Sequence, residues 1–252
     1  MKRLLSTDQF ERLYRLLRGE RKIHTKRRAL VRRFLEAVLW LGRSGAQWRF
    51  LPTEYGAWNS VYKRFARWDD LGVWERLFQQ AANAPDLQSV MIDATVVRAH
   101  ACAAGAPKNG GQAAQGLGRS RGGFSTKIHV LVDALGNPLR FTLTSGAAGD
   151  NPQAIPLLAG IETHEVLADR GYDADRTLAY IKEQLHAVAT IPPKKGRLAP
   201  RDCDYTAYKE RHLVECFIGK LKYFRRVFTR FDKYAKRFLA FVHFASTLIW
   251  LR

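Results

Sequence analysis

The stretch Ser89–Val97, SVMIDATVV, decides the fold because it is the clearest buried strand in the chain. β-branched and other apolar residues fill it, which is typical of a strand covered on both faces. Asp93 lies in its middle, and a carboxylate among apolar neighbours is costly unless it is paired or binds a metal ion. The alternative interpretation is a polar residue that faces out of a half-exposed strand.

Downstream of this strand, apolar runs and turn signals alternate in the manner of a mixed α/β sheet. The first two runs are joined by the turn Leu135–Pro138, and Asp173 is the predicted cap of a later helix. The predicted elements are the strands Ser125–Asp133, Leu139–Thr144, Glu165–Ala168 and Val188–Ile191 and the helices Gln153–Ala159, Asp175–Leu185, Tyr208–Val227 and Ala235–Leu251. Antiparallel pairs followed by βαβ crossovers predict a mixed sheet flanked by helices, an order that matches the ribonuclease H-like fold.

The connection after the first strand, Ala101–Gly123, differs in composition from its surroundings. It is rich in Gly, Ala, Asn and Gln and ends in the basic Arg119-Ser120-Arg121. Because such a segment has little to pack, we expect a mobile loop.

Residues 1–85, upstream of the first strand, have the periodicity of helices joined by short turns. Ser6 is the predicted N-cap of the first helix, with Gln9 completing a capping box. Gly45 is the predicted stop of the second helix. The later predicted helices are Lys26–Arg43, one that holds Trp58–Trp68, and Val73–Ala82.

Lysines and arginines interleave with aromatic residues on these helices, which favours a helix-turn-helix-like module that binds DNA. The predicted DNA contacts are Arg27, Arg28, Arg32, Lys63, Arg64 and Arg67. The alternative is a helical bundle with a solvated basic face. The predicted organisation is therefore a helical DNA-binding domain, 1–85, followed by a ribonuclease H-like catalytic domain, 86–252.

Composition supports a polyanionic partner. Lys plus Arg is 42 and Asp plus Glu is 23, a formal net charge of +19. Nucleic acid is the first candidate partner and an anionic membrane surface the second, while a basic protein with neither is the alternative. Three scattered cysteines predict neither a zinc site nor disulfides and fit a reducing cytoplasm. The apolar stretch Phe238–Leu251 is too short to span a bilayer and predicts a packed core helix.

Two further carboxylates are expected to meet Asp93 at one edge of the sheet. Asp169 directly follows a buried strand, and the carboxyl ends of strands are where α/β proteins build sites. Glu215 lies on a long predicted helix whose stripe also carries Tyr208, Arg211 and Lys222. Taken singly, Asp169 is equally an ordinary turn residue before a glycine, and Glu215 an exposed ion-pair partner of Arg211.

Three converging carboxylates repel one another, and divalent cations relieve that repulsion. Two Mg²⁺ ions, with Mn²⁺ as the substitute, would activate a water or a 3′-hydroxyl for in-line displacement on a phosphodiester. Asp93, Asp169 and Glu215 are thus the predicted catalytic and metal-binding residues. The cations Arg211 and Lys222 beside them are suited to hold DNA phosphates.

The spacing of Tyr208, Arg211, Glu215 and Lys222 resembles the YREK signature of bacterial insertion-sequence DDE transposases. The segments MIDAT, GRSRGGFSTKIH and LADRGYDAD look like other blocks of that family. The amino-terminal GAQWRFLP and WNSVYKRFARW resemble the first domain of its IS-five family. The resemblance covers nearly the whole chain.

The resemblance implies a DNA transposase that acts on double-stranded DNA. Such an enzyme binds the terminal inverted repeats of its element, cleaves there and transfers the 3′ ends to target DNA. It implies Asp93, Asp169 and Glu215 as the metal-binding triad, Arg211 and Lys222 as DNA contacts, and Tyr208 as a contacting or stacking residue. It further implies at least a homodimer on DNA, no membrane, and a bacterial cytoplasmic, nucleoid-associated protein. The alternatives are a metal-dependent nuclease of the same fold without strand transfer and an inactive DNA-binding remnant.

Overall fold

The structure is a computed structural model that describes residues 4–104, 110–120 and 122–252. Its helices are α1 Thr7–Arg18, α2 Arg28–Ser44, α3 Trp58–Asp70, α4 Val73–Ala81, α5 Gly111–Ala114, α6 Ala154–Leu158, α7 Asp175–Ala179, α8 Tyr205–Tyr208, α9 His212–Lys222, α10 Arg225–Phe228 and α11 Ala235–Trp250. Its strands are β1 Ser89–Ala99, β2 Gly118–Ser120, β3 Gly123–Asp133, β4 Pro138–Ser145, β5 Glu165–Ala168, β6 Val188–Thr190 and β7 Thr229–Arg230. Within the described ranges, none of the helices has the length and apolarity needed to cross a membrane.

Contacts among the described residues divide the chain into two compact units. The first lies within Met1–Asn83, Arg98–Gln115 and Lys220–Arg252, and the second within Ala84–Val97 and Gly116–Gly219. The predicted domain boundary between residues 85 and 86 stays a prediction.

The first unit is a helical core that α11 completes. The predicted capping box at Ser6 is present, and α2 ends at Gly45 with the left-handed φ of 68° that glycine adopts freely. Helix α11 packs on α4, α3 and α2, and the Phe65 and Phe241 rings stack 4.5 Å apart. Twelve of the 16 residues of α11 are buried, so the prediction of a packed core helix is confirmed.

The second unit is built on the strands that position the candidate site. The sheet has the order β2-β3-β1-β5-β6, with β4 paired to β3. Strand β7 and the end of β1 at Arg98 and Ala99, which pair with each other, belong to the first unit. Strands β3 and β4 are antiparallel, whereas β5 runs parallel to both β1 and β6. Apolar residues of β1 and β5, such as Val90 and Val166, pack with Leu157 of α6 and Ile181 in one core. The predicted mixed sheet flanked by helices is confirmed.

The predicted loop Ala101–Gly123 is partly regular, so that prediction is wrong for the residues described. They form a 3₁₀ turn at Ala101–Ala104, helix α5 and strand β2. Strand β2 pairs with the start of β3, where Arg119 lies opposite Phe124 with its guanidinium 5.3 Å from the ring centroid. This cross-strand contact supplies packing that composition does not reveal. Arg121 of the predicted basic end lies outside the described residues.

The long helix predicted for Tyr208–Val227 is also wrong as one continuous element. Helix α8 starts earlier, because the Asp204 carboxylate caps it by accepting the amides of Thr206 and Ala207 at 2.8 and 3.0 Å. A 3₁₀ turn at Lys209–Arg211 then precedes α9, and the chain leaves the helix again before α10. Tyr208, Arg211 and Glu215 lie on three successive helical elements, and the Arg211 side chain still contacts both of the other two.

Asp173 does not cap the following helix, which corrects a further prediction. Ala174 holds the N-cap position of α7, and the buried Asp173 carboxylate instead accepts the Lys194 amide at 2.8 Å and pairs with Arg197 and Arg201. The helix itself ends as a π-helical turn at Tyr180–Gln184. Asp173 therefore forms ion pairs with residues far along the chain and does not accept the backbone amides at the start of α7.

His129 gives the second unit a pH-sensitive core position. Its imidazole is fully buried on β3, with Nε2 2.7 Å from the Thr144 hydroxyl. Burial lowers the pKa of His129 to about 4, and the Lys127 charge adds to this while Asp150 opposes it. The neutral ring therefore stabilises the fold above the unfolded pKa near 6.5, and this stability is lost as pH falls towards 4.

We expect His129→Gln to flatten the dependence of stability on pH between 6.5 and 4. The wild-type protein should lose up to about 3 kcal/mol more unfolding free energy over this range than the variant does. Urea unfolding at several pH values measures the difference. Parallel curves for the two proteins would mean that His129 takes up its proton without unfolding.

Candidate active site

Asp93 and Asp169 lie at neighbouring positions on two parallel strands. Ile92 of β1 is in register with Ala168 of β5, so the next residue on each strand is an aspartate. The Asp93 side chain is 17% exposed, and its Oδ1 accepts the Ala94 amide at 2.7 Å. Asp169 is half-buried, and its Oδ1 accepts the amide of Gly171 at 2.8 Å. The strand pairing itself thus brings two carboxylates together.

Arg211 joins the third carboxylate to this pair. One guanidinium nitrogen lies 3.0 Å from Asp93 Oδ2, and the other forms an ion pair with the Glu215 carboxylate. The same guanidinium lies 5.7 Å from the centroid of the Tyr208 ring. Glu215, in the first turn of α9, is exposed, whereas the Arg211 side chain is only 15% exposed. Glu215 is therefore connected to Asp93 through an arginine.

The electrostatics of the site match this arrangement. Burial raises the pKa of Asp93, and the negative charge of Asp169 adds to the rise, while the Ala94 amide and Arg211 oppose it. Burial lowers the pKa of Arg211, but Asp93, Tyr208 and Glu215 outweigh burial, and the net shift is upward. Arg211 remains a cation that compensates a group of acidic side chains.

Tyr172, Asp150 and Lys127, which are linked to these carboxylates through charge, were not among the predicted site residues. Tyr172 is buried, and its hydroxyl has no hydrogen-bond partner in the described part of the chain. Burial raises the pKa of Tyr172, and the charges of Asp150, Asp93 and Asp169 raise it further. Lys127 donates to Asp150 at 2.7 Å. Tyr172 lies three residues after Asp169 and Lys127 lies in the segment GRSRGGFSTKIH, so both had a signal in the sequence, whereas Asp150 comes from a segment without a distinctive pattern.

The donor chemistry of the site suits a divalent metal ion. Carboxylate oxygens are the ligands that Mg²⁺ and Mn²⁺ prefer, and the mutual repulsion of Asp93 and Asp169 is what a cation relieves. Within the described residues, however, no three His, Cys, Asp or Glu side chains are arranged to hold a metal ion. Two of the predicted ligands are adjacent, and the third is held by Arg211.

The predicted DNA-contacting side chains of the amino-terminal helices differ in their exposure and in the ion pairs that they form within the protein. Arg28 pairs with Glu11, and Arg32 pairs with Glu36 at 3.2 Å. Arg64 is half-buried, with its guanidinium 4.4 and 5.1 Å from the ring centroids of Phe34 and Trp68. The remaining three predicted contacts, Arg27, Lys63 and Arg67, are exposed. Lys222 of the predicted signature is half-buried in the last turn of α9.

Family models match both parts of the chain. Residues 85–250 match the family described as "Transposase DDE domain", which implies a ribonuclease H-like fold. Residues 5–78 match the family described as "Putative transposase of IS4/5 family". No solved structure matches the chain significantly.

Curated relatives agree with these matches. A Brucella ovis protein named "Putative transposase for insertion sequence element IS6501" is 46% identical over 130 residues, which are 51% of this chain and 100% of that protein. A Burkholderia cepacia protein named "Putative transposase for insertion sequence element IS402" is 31% identical over 138 residues, 49% of this chain and 62% of that protein. The chain thus belongs to the family of insertion-sequence transposases with a DDE domain.

Proposed function

We propose that this chain binds the terminal inverted repeats of its insertion sequence, cleaves the DNA there and transfers the 3′ ends to target DNA. The observation that carries the proposal is the Asp93–Arg211–Glu215 link on β1, beside Asp169 at the carboxyl end of the parallel strand β5. DNA is the substrate of the family, and the family depends on divalent metal ions. We take Mg²⁺ as the natural cation, with Mn²⁺ as a substitute.

Asp93, Asp169 and Glu215 are the residues that would hold the metal. When bound, a pair of divalent ions supplies an activated oxygen nucleophile and stabilises the leaving oxygen of the phosphodiester. The side chain of Asp93 is prepared for this role, because it is largely desolvated and one of its oxygens is fixed by the Ala94 amide. Asp169 is oriented similarly by the Gly171 amide.

Arg211 acts as the positioning residue of the site. Its two ion pairs connect Glu215, in the first turn of α9, to Asp93 of β1. A guanidinium is also suited to grip a phosphate with two parallel hydrogen bonds. Arg211 can therefore neutralise the carboxylates before DNA binds and contact a phosphate near the cut afterwards. Tyr208, next to this guanidinium, and Lys222 are the further DNA contacts.

In this proposal, the amino-terminal helices bind the DNA at the ends of the element. The net charge of +19 provides the long-range attraction to DNA, and the exposed Arg27, Lys63 and Arg67 provide local phosphate contacts. Pairing two element ends requires at least two copies of the chain, so we expect a homodimer or larger multimer on DNA.

A cleavage and joining assay tests the proposal. The full chain is incubated with duplex DNA that carries the element end, with Mg²⁺ or with EDTA, in parallel with Asp93→Asn. We expect metal-dependent nicking at the end and joined products, both lost in the variant. Nicking without joining would favour the nuclease, and binding without cleavage in Mg²⁺ or Mn²⁺ would favour the inactive remnant.

A further inference from the structure

The first unit contains a cavity of about 570 Å³ between the segment before α2, the start of α2 and helix α3. Its apolar wall is formed by Ile23, Leu30, Val31 and Trp68. Leu30 is 37% exposed. A cavity of this volume lies within the range of small-molecule binding sites, about 300–1,000 Å³.

The rim of the cavity is strongly cationic. Lys26, Arg27, Lys63, Arg64 and Arg67 line it, and its lining includes no aspartate or glutamate. Four of these cations, Lys26, Arg27, Lys63 and Arg67, are exposed, whereas Arg64 is fixed over two aromatic rings. An apolar cleft lined by positive charges suits a ligand that has an apolar body and an anionic chain.

We propose that this cavity accepts one unpaired nucleotide of the bound DNA, with its base against the apolar wall and its phosphates on the basic rim. The proposal rests on the DNA binding proposed above and specifies one contact within it. Paired duplex DNA presents its phosphates and the edges of its bases to the protein. Its phosphates can contact the basic rim, but its stacked bases cannot contact the apolar wall. A base that has left the stack exposes the faces that such a wall covers.

Binding of three labelled duplexes by the full chain in EDTA tests the proposal. All carry the element end, and they differ at one position, which is fully paired, a single-adenine bulge or an abasic bulge. We expect the adenine bulge to be bound about tenfold more tightly than the abasic bulge, since the two differ only in the base that would enter the cavity. Fluorescence anisotropy gives the three dissociation constants.

The variant Leu30→Lys distinguishes binding of a base in the cavity from simple attraction of DNA to a basic surface. The lysine adds positive charge, so affinity for the paired duplex should stay equal or increase, while the preference for the adenine bulge should disappear because the apolar wall is blocked. Leu135→Lys is the matched control, since Leu135 is an exposed leucine that does not line the cavity. It should keep the preference.

The outcomes distinguish this inference from the proposed function. Equal affinity of the wild-type chain for adenine and abasic bulges would overturn the inference and leave DNA binding intact. A preference that survives in Leu30→Lys would also overturn it, because the base would then bind elsewhere. Binding to none of the duplexes would overturn both the inference and the proposed DNA binding. The wild-type comparison does not depend on whether a variant folds.

Discussion

Asp169→Asn should abolish DNA cleavage and leave the metal-free protein as stable as the wild type or more stable. The carboxylate repels Asp93 on the neighbouring strand, and the amide removes that charge. Asparagine also keeps a side-chain oxygen that can accept the Gly171 amide, so the turn after β5 is preserved. Loss of one metal-binding carboxylate should reduce the cleavage rate by about 10³-fold or more, which corresponds to several kcal/mol of transition-state stabilisation.

Cleavage kinetics in Mg²⁺ and thermal unfolding in EDTA measure these two effects. Asp202→Asn is the matched control, because it removes the same charge from an exposed residue outside the site. A clear decrease in the Tm of Asp169→Asn without metal would contradict the clustered-carboxylate arrangement. Cleavage at the wild-type rate would remove Asp169 from the catalytic residues.

Arg211→Ala should have the opposite effect on the metal-free protein. The substitution leaves Asp93 largely desolvated without its guanidinium partner, and breaking a buried pair in this way costs about 3 kcal/mol. Divalent metal should then raise the Tm of the variant more than that of the wild type, because Arg211 no longer competes for the carboxylates. Cleavage should still fall, since Glu215 loses the contact that orients it.

Thermal unfolding with and without Mn²⁺ tests this prediction. Arg176→Ala, which removes an exposed arginine of α7, serves as the control and should change neither quantity. An unchanged Tm of Arg211→Ala in EDTA would show that Asp93 is hydrated enough to stand alone. A smaller metal-induced increase than in the wild type would mean that Arg211 assists metal binding instead of competing with it.

The regular parts of the fold could be predicted because their signals are local. Strand β1 and the antiparallel pair β3 and β4 are rich in apolar and β-branched residues, with a turn between the last two, and α11 has a long apolar stretch. The predicted elements were placed within a few residues of the observed ones. Strands β2 and β7 were missed because they are only three and two residues long and exist through pairing with distant segments.

The breaks in the predicted long helix had a different cause. Apolar periodicity continues through Lys209–Arg211 and past Lys222, so the sequence pattern resembles a single helix. The 3₁₀ turn and the exit before α10 depend on tertiary packing, which overrides local propensity. Asp173 shows the same limit, because its ion pairs with Arg197 and Arg201 involve residues far along the chain.

For the candidate site, the residue types and the elements that carry them could be predicted from the sequence, but the contacts between their side chains could not. The convergence of Asp93, in the middle of β1, and Asp169, after the end of β5, was predicted, although the register that brings them together cannot be read from the sequence. That Arg211 would lie between Asp93 and Glu215 could not be expected, because periodicity fixes neighbours on a helix and not their partners on a strand. The roles of these three carboxylates in catalysis remain predictions.

The packing of α11 on α4 has a consequence for synthesis on the ribosome. Helices α1–α4 emerge first, yet the core they share with α11 cannot close until residues after 235 have been translated. Throughout that interval the apolar surface of α4 lacks its cover, so nascent chains and copies with an early stop codon expose it to chaperones and proteases. A truncated copy of the gene should therefore yield little accumulated protein, even when it encodes all the amino-terminal helices.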